Sequence, residues 1–189
     1  AQFSLLASCG LVSTSVIIMV IALVANVFQI EYVALYTSRD LPLVYRLSTL
    51  WAGNSGSLLF WAWLISIFAT VMALQKRDNS KELVPYASAV TMGAQVFFLI
   101  IILSQANPFN KLSFIPDDGL GLNPLLENPG MIFHPPILLA GYVALTIPFA
   151  FAIAALLTRR LADEWLVAVR RWSLLAWLLL GIGNIIGAW

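Results

Sequence analysis

The residues best able to do chemistry in this chain are few and stand in short clusters. Its only histidine, His134, lies in Met131-Ile132-Phe133-His134-Pro135-Pro136. A proline disfavours helical backbone in the residue before it, and it suits a helix's first turn, where its missing N–H would have no partner anyway. The spacing therefore predicts a helix beginning at Pro135, with His134 extended at its head. A neutral imidazole there is a competent metal or haem-iron ligand, or a proton carrier; it can equally be an interfacial polar residue that closes the helix end. Asp117 and Asp118 are adjacent within Pro116-Asp117-Asp118-Gly119-Leu120-Gly121-Leu122-Asn123-Pro124. Neighbouring carboxylates suit acid–base work or cation binding, but a segment this dense in turn residues is a solvated turn first. Cys9 follows Leu6-Ala7-Ser8 in the outline of a lipoprotein processing box, yet the chain runs on as an apolar helix, which favours a plain lipid-facing or packed thiol. A single cysteine makes no intrachain disulfide and no CxxC pair.

A fourth cluster is Trp51-Ala52-Gly53-Asn54-Ser55-Gly56-Ser57-Leu58-Leu59-Phe60-Trp61-Ala62-Trp63. Gly53 and Gly56 with their small polar neighbours permit close approach of another helix or of a flat ligand, and Trp51 and Trp61 supply rigid aromatic area. An aromatic belt beside a packing groove accounts for the same residues.

The elements that must position these groups are membrane helices. Hydrophobic types make up 61% of the 189 residues and charged types 10%, where a soluble domain carries about a quarter charged. The formal net charge of +1 offers no field for a nucleic-acid backbone, which excludes that partner. Charge-free runs separate the charged clusters, and each is long enough to cross a hydrocarbon core of roughly 30 Å. The expected fold is all-α: a polytopic helical bundle forming one transmembrane domain over 1–189, with spans near 5–28, 50–74, 84–103, 135–157 and 173–189. Segment 104–134 is a long outer loop anchored by apolar side chains. Pro148 is expected to kink the fourth span, Gly183 and Gly187 to mark a close helix contact, and Asn184 to need a polar partner.

Orientation follows from the basic residues. Seven of ten Lys and Arg fall in the second and fourth connections (Lys76, Arg77, Lys81, Arg159, Arg160, Arg170, Arg171), which places those inside and the first and third outside, with Trp189 near the outer face. No span core carries an ionisable residue, which argues against an ion pump or proton-coupled carrier. No Walker loop, GxGxxG or Ser/His/Asp set supports a nucleotide-driven or hydrolytic enzyme. The start at Ala1-Gln2, with neither Met nor a basic leader, suggests a trimmed N-terminus.

Several motifs together resemble the CcmF family of cytochrome c-type biogenesis proteins, the haem lyase subunits of the haem-handling superfamily. They are Tyr45-Arg46, Trp51-Ala52-Gly53-x-x-Gly56-Ser57-Leu58-Leu59-Phe60-Trp61, Asn107-Pro108-Phe109, Asp118-Gly119-x-Gly121-Leu122-Asn123-Pro124-Leu125-Leu126 and the His134-Pro135-Pro136 segment, continuing through Gly141-Tyr142-Val143 to Gly187-Ala188-Trp189. The resemblance implies cytochrome c maturation at the periplasmic face of a bacterial inner membrane, or a mitochondrial inner membrane if organellar. Haem of the b type would be positioned there for thioether attachment to apocytochrome c. His134 matches the family's external axial haem ligand, and the haem-binding set it suggests is His134, Trp51, Gly53, Gly56 and Trp61, with no catalytic acid or base. Partners implied are membrane lipid, a haem chaperone, apocytochrome c and the rest of the lyase.

Two departures qualify this. Asn54-Ser55 stands where family members often have His-Glu or Gln-Glu. The chain also stops at Trp189, before the tryptophan-rich WWD segment and the further haem-ligating histidines, so a natural split subunit or a piece of a longer protein is expected, incomplete as an enzyme by itself. The alternative reading is a non-catalytic membrane scaffold or assembly subunit whose outer loop docks a partner. A small-molecule or haem channel suits the Gly/Trp cluster but lacks polar lining.

Overall fold

The computed structural model describes residues 2–75, 82–160 and 164–188. Lys76, Arg77, Lys81 and Trp189, which bear on the orientation argument, lie outside them. Seven helices follow in order: α1 (Gln2–Val24), α2 (Glu31–Tyr36), α3 (Leu43–Ser48), α4 (Asn54–Leu74), α5 (Val84–Ser104), α6 (Pro129–Thr158) and α7 (Glu164–Gly187). Five of them, α1, α4, α5, α6 and α7, are long and apolar enough to cross a membrane. A helix pairs most of its backbone groups within itself, as hydrocarbon demands. Among the described residues there is no strand, only an isolated antiparallel bridge between Ile30 and Lys111. The protein is thus an all-helical, multi-pass membrane protein.

α6 is the central element: it packs along α7 and also touches α4 and α5, while α4 packs against α1 and α5. Small residues let these helices close up. Ala144, Ala150 and Ala154 of α6 are fully buried, as are Ala62 of α4, Ala87 of α5 and Ala176 of α7. The opposite faces carry Ile17, Ile21, Phe97, Ile100, Leu103, Leu174 and Trp177, exposed in the bundle as lipid-facing side chains must be.

The element ends differ from the sequence expectation for local reasons. α1 begins at Gln2 and stops at Val24 rather than near Phe28, because Asn26 adopts a left-handed conformation (φ 54°) and the Val27 N–H returns to the Ala22 carbonyl, a Schellman-type end. α4 starts at Asn54, since Gly53 is extended and Thr49–Trp51 form a separate 3-10 turn. α6 begins six residues before Pro135. Asn128 caps it through a hydrogen bond from the Met131 N–H, and Pro129 occupies the first helical position. His134 is therefore inside the helix, not extended at its head. α7 starts nine residues before Ser173, with the exposed side chains of Arg170 and Arg171 riding on the helix. α6 runs unbroken through Pro148. At the end of the bundle where α6 finishes and α7 begins, exposed Arg160 pairs with Glu82.

Candidate functional site

At the other end the first and third long connections fold against each other. Glu31 donates its N–H to the Asn110 carbonyl (2.8 Å), Leu112 to Gln29 (2.9 Å), Leu120 to Ala34 (2.7 Å) and Gly121 to Thr37 (3.1 Å). Asp118 accepts from the N–H groups of Arg39 (3.0 Å) and Gly119 (2.7 Å). Asp118 therefore contributes a turn lock here, and among the described residues no group of three or more His, Cys, Asp or Glu gathers that could hold a metal ion. Segment 105–128 is thus a cap held to the first connection by backbone hydrogen bonds, while Phe114, Ile115, Leu120 and Leu125 of its apolar residues are exposed.

Beneath the cap, Tyr32 of α2 is buried. Its hydroxyl donates to the Thr49 carbonyl (2.7 Å) and accepts from the Gly53 N–H (3.0 Å). Burial pushes this phenol above its ordinary range, the Gly53 hydrogen bond pulls it back, and neighbouring Tyr36 adds to the rise. Arg46 holds the entry from α1, donating to the carbonyls of Val24 (3.0 Å), Arg39 (3.1 Å) and Leu41 (3.0 Å). A guanidinium at the carbonyl end of α1 also complements the helix dipole.

His134 projects from the second turn of α6 towards α7, half-buried. Its Nδ1 lies 2.7 Å from the Gly183 carbonyl. A carbonyl can only accept, so Nδ1 carries the proton and donates. In the neutral ring Nε2 is then the nitrogen with the lone pair, and it has no hydrogen-bond partner among the described residues. The imidazole lines a groove of about 790 Å³ together with Leu126, Met131, Phe133, Ile185 and Ile186. That volume falls in the usual range for small-molecule sites. The groove is mostly apolar, and the bare Nε2 presents a lone pair to it that can ligate a metal centre.

Of the other expected site residues, only Trp51 reaches this wall, through a 2.9 Å hydrogen bond from its indole N–H to the Met131 carbonyl. Gly53 and Gly56 do not line the groove. A side chain at Gly53 would overlap the Tyr36 ring, and one at Gly56 the Tyr32 phenol and the Leu50 carbonyl. The room read in sequence as space for a flat ligand is filled by these two tyrosines. Trp61 lies deeper in the bundle, stacked on Tyr142 (6.0 Å) and near Phe98 (5.0 Å). Asn54 and Ser55 line a separate, more polar cavity of about 290 Å³ with Glu31, Gln105 and Asn107. Asn184 needs no partner on another helix, because its amide bonds the Leu180 carbonyl one turn back. Sequence reasoning missed Gly183 as the histidine's acceptor and Tyr32 as the floor of the cap. The helix start at Asn128-Pro129 had a readable signal, an N-cap residue followed by proline.

The family profile described as Cytochrome C assembly protein matches residues 51–189. Curated relatives include the cytochrome c-type biogenesis protein CcmF of Haemophilus influenzae, 38% identical over 165 residues (87% of this chain, 26% of the relative), and CcmF of Escherichia coli, 39% identical over 180 residues (94% and 28%). A solved structure titled cytochrome c haem lyase CcmF superposes with a TM-score of 0.83 at 28% identity, covering 100% of this chain and 29% of that one. The chain therefore spans about a quarter of the length of the relatives it matches.

Proposed function

Because the chain belongs to the cytochrome c assembly protein family, we propose that it serves cytochrome c maturation as the haem-holding N-terminal part of a haem lyase, with His134 as one axial ligand. The observation that carries this reading is the state of His134: Nδ1–H engaged by Gly183, Nε2 without a protein partner, and the ring on the wall of an apolar groove. These residues fit haem on one axial side. Bound haem would supply the iron for the imidazole and the vinyl groups across which cysteine S–H bonds of an apocytochrome add, a redox-neutral step with no leaving group.

This chain's contribution is positioning. Leu126, Phe133, Ile185 and Ile186 would shield a porphyrin face from water, Gly183 orients the imidazole, and Trp51 fixes the first turn of α6, just ahead of the turn from which that imidazole projects. Holding the reacting groups in place can supply much of a barrier reduction without acid–base residues. The chain has one histidine, so a second histidine ligand to the same haem would have to come from elsewhere in the lyase. Gly53, Gly56 and Trp61 serve packing in this reading. The basic connections face the cytoplasm and the cap faces the periplasm of a bacterial inner membrane, where a haem chaperone and apocytochrome c have access.

The second reading, a non-catalytic scaffold, draws support from the cap's exposed apolar residues, among them Leu120 and Leu125, more than four-fifths exposed. Absorption spectra of the purified chain, co-expressed with the rest of its lyase, separate the two. A Soret band lost in His134→Ala and restored by imidazole in His134→Gly supports the ligand; an identical band in all three proteins removes it in favour of the scaffold.

A further inference from the structure

We infer that Gly183 and Gly187 of α7 are positioning residues for His134: the Gly183 carbonyl determines which ring nitrogen is protonated, and the bare Cα of Gly187 determines where the ring lies. The consequence for haem rests on the reading above; the geometry does not. In sequence the pair looks like an ordinary small-residue helix contact. The structure divides the work between the two. A Cβ at Gly183 would sit 3.2 Å from the Cα of Leu138 on α6, so glycine lets the two backbones approach closely enough for its own carbonyl to reach Nδ1. One turn on, the nearest atoms to a Cβ at Gly187 would be those of the imidazole ring, and it would overlap Cε1 and Nδ1. Gly181, on the same helix, has nothing within 4 Å of a Cβ position. At Gly187 the requirement for glycine thus follows the histidine. A ligating imidazole whose other N–H is held by a carbonyl has a fixed tautomer, a fixed ring plane and a more basic free nitrogen.

The chain's single histidine makes this directly measurable. In 15N-histidine-labelled chain reconstituted in lipid nanodiscs, at a pH where the ring is neutral, wild type should show a protonated Nδ1 and a bare Nε2. Gly187→Ala should disturb that pattern and lower haem affinity by about 10–100-fold, whereas Gly181→Ala should change neither. A proton on Nε2 in wild type, or an unaltered imidazole spectrum in Gly187→Ala, overturns the inference. Should Gly187→Ala accumulate poorly, the His134→Gly background decides, since removing the ring removes the clash. There, Gly187→Ala should accumulate as its parent does, and an equal loss in both backgrounds again overturns the inference. The expected nitrogen pattern without a His134-dependent haem band would leave the positioning intact and defeat the haem assignment. A His134-dependent band with the wrong tautomer would do the reverse.

Discussion

Trp51 and Met131, eighty residues apart, are joined by a hydrogen bond from the indole N–H to the Met131 carbonyl. This is the carbonyl that a regular helix would pair with the N–H of residue 135, where proline has none. The Trp51 indole takes the missing donor's place. It ties the 3-10 turn ahead of α4 to the opening turns of α6, three residues before the imidazole.

Replacing Trp51 with phenylalanine keeps an aromatic ring but leaves the Met131 carbonyl without a donor, a loss of about 1–3 kcal/mol. In a Pro135→Ala background the alanine N–H can take that carbonyl, so Trp51→Phe should cost distinctly less there. A double-mutant cycle of unfolding in mild detergent measures the coupling. Equal penalties in the two backgrounds would show that the tryptophan acts only as bulk.

Tyr32→Phe should be costly for a related reason, since one hydroxyl serves both the Thr49 carbonyl and the Gly53 N–H in a buried site. The expected destabilisation is about 1–3 kcal/mol at neutral pH. The pH dependence has a definite sign. Burial raises the folded phenol's pKa, so below the ordinary tyrosine value of about 10 the group is neutral in both states and its contribution is fully present. Above that value the unfolded phenol ionises first, and stability falls as pH rises. Wild type should thus lose stability above about pH 10 more steeply than Tyr32→Phe, read by thermal melts across alkaline buffers.

The five membrane helices were legible because each depends on a local property, a long uncharged run. The start of α6 was also written locally, in Asn128-Pro129, but the two prolines after His134 argued for a later start. Pro135 is tolerated inside the helix because a tertiary contact takes over, the Trp51 indole pairing the carbonyl that it strands. The site was legible only as its central residue. That Gly183 meets His134 across 49 positions, and that Tyr32 and Tyr36 fill the space above Gly53 and Gly56, depends on how α2, α4, α6 and α7 are brought together. No spacing rule along one helix contains that information.

The cap makes a graded prediction at two glycines. Gly121 has φ +80°, and a Cβ there would make only ordinary contact with the Ser38 side chain, so Gly121→Ala meets mainly backbone strain of about 1–2 kcal/mol. A Cβ at Gly119 would overlap the Thr37 carbonyl, which is backbone and cannot swing aside. Gly119→Ala should therefore separate the two connections and expose segment 105–128 to protease, while Gly121→Ala leaves it protected. Equal cleavage of both variants would contradict the arrangement.

Gln95 of α5 should respond in the opposite direction. It is 5% exposed, and neither its amide nitrogen nor its carbonyl oxygen has a hydrogen-bond partner among the described residues. Ser88 and Thr91 share its buried face, but the Thr91 hydroxyl is committed to the Ser88 carbonyl. Unpaired buried polar groups typically cost about 1–3 kcal/mol, and a methionine of similar length removes both without leaving a large void. Gln95→Met should therefore raise the melting temperature of the chain in detergent. Gln95→Glu, which adds a charge at the same buried position, should lower it. A drop in both variants would mean that the carboxamide is satisfied in the membrane, by an ordered water or by a group from another subunit.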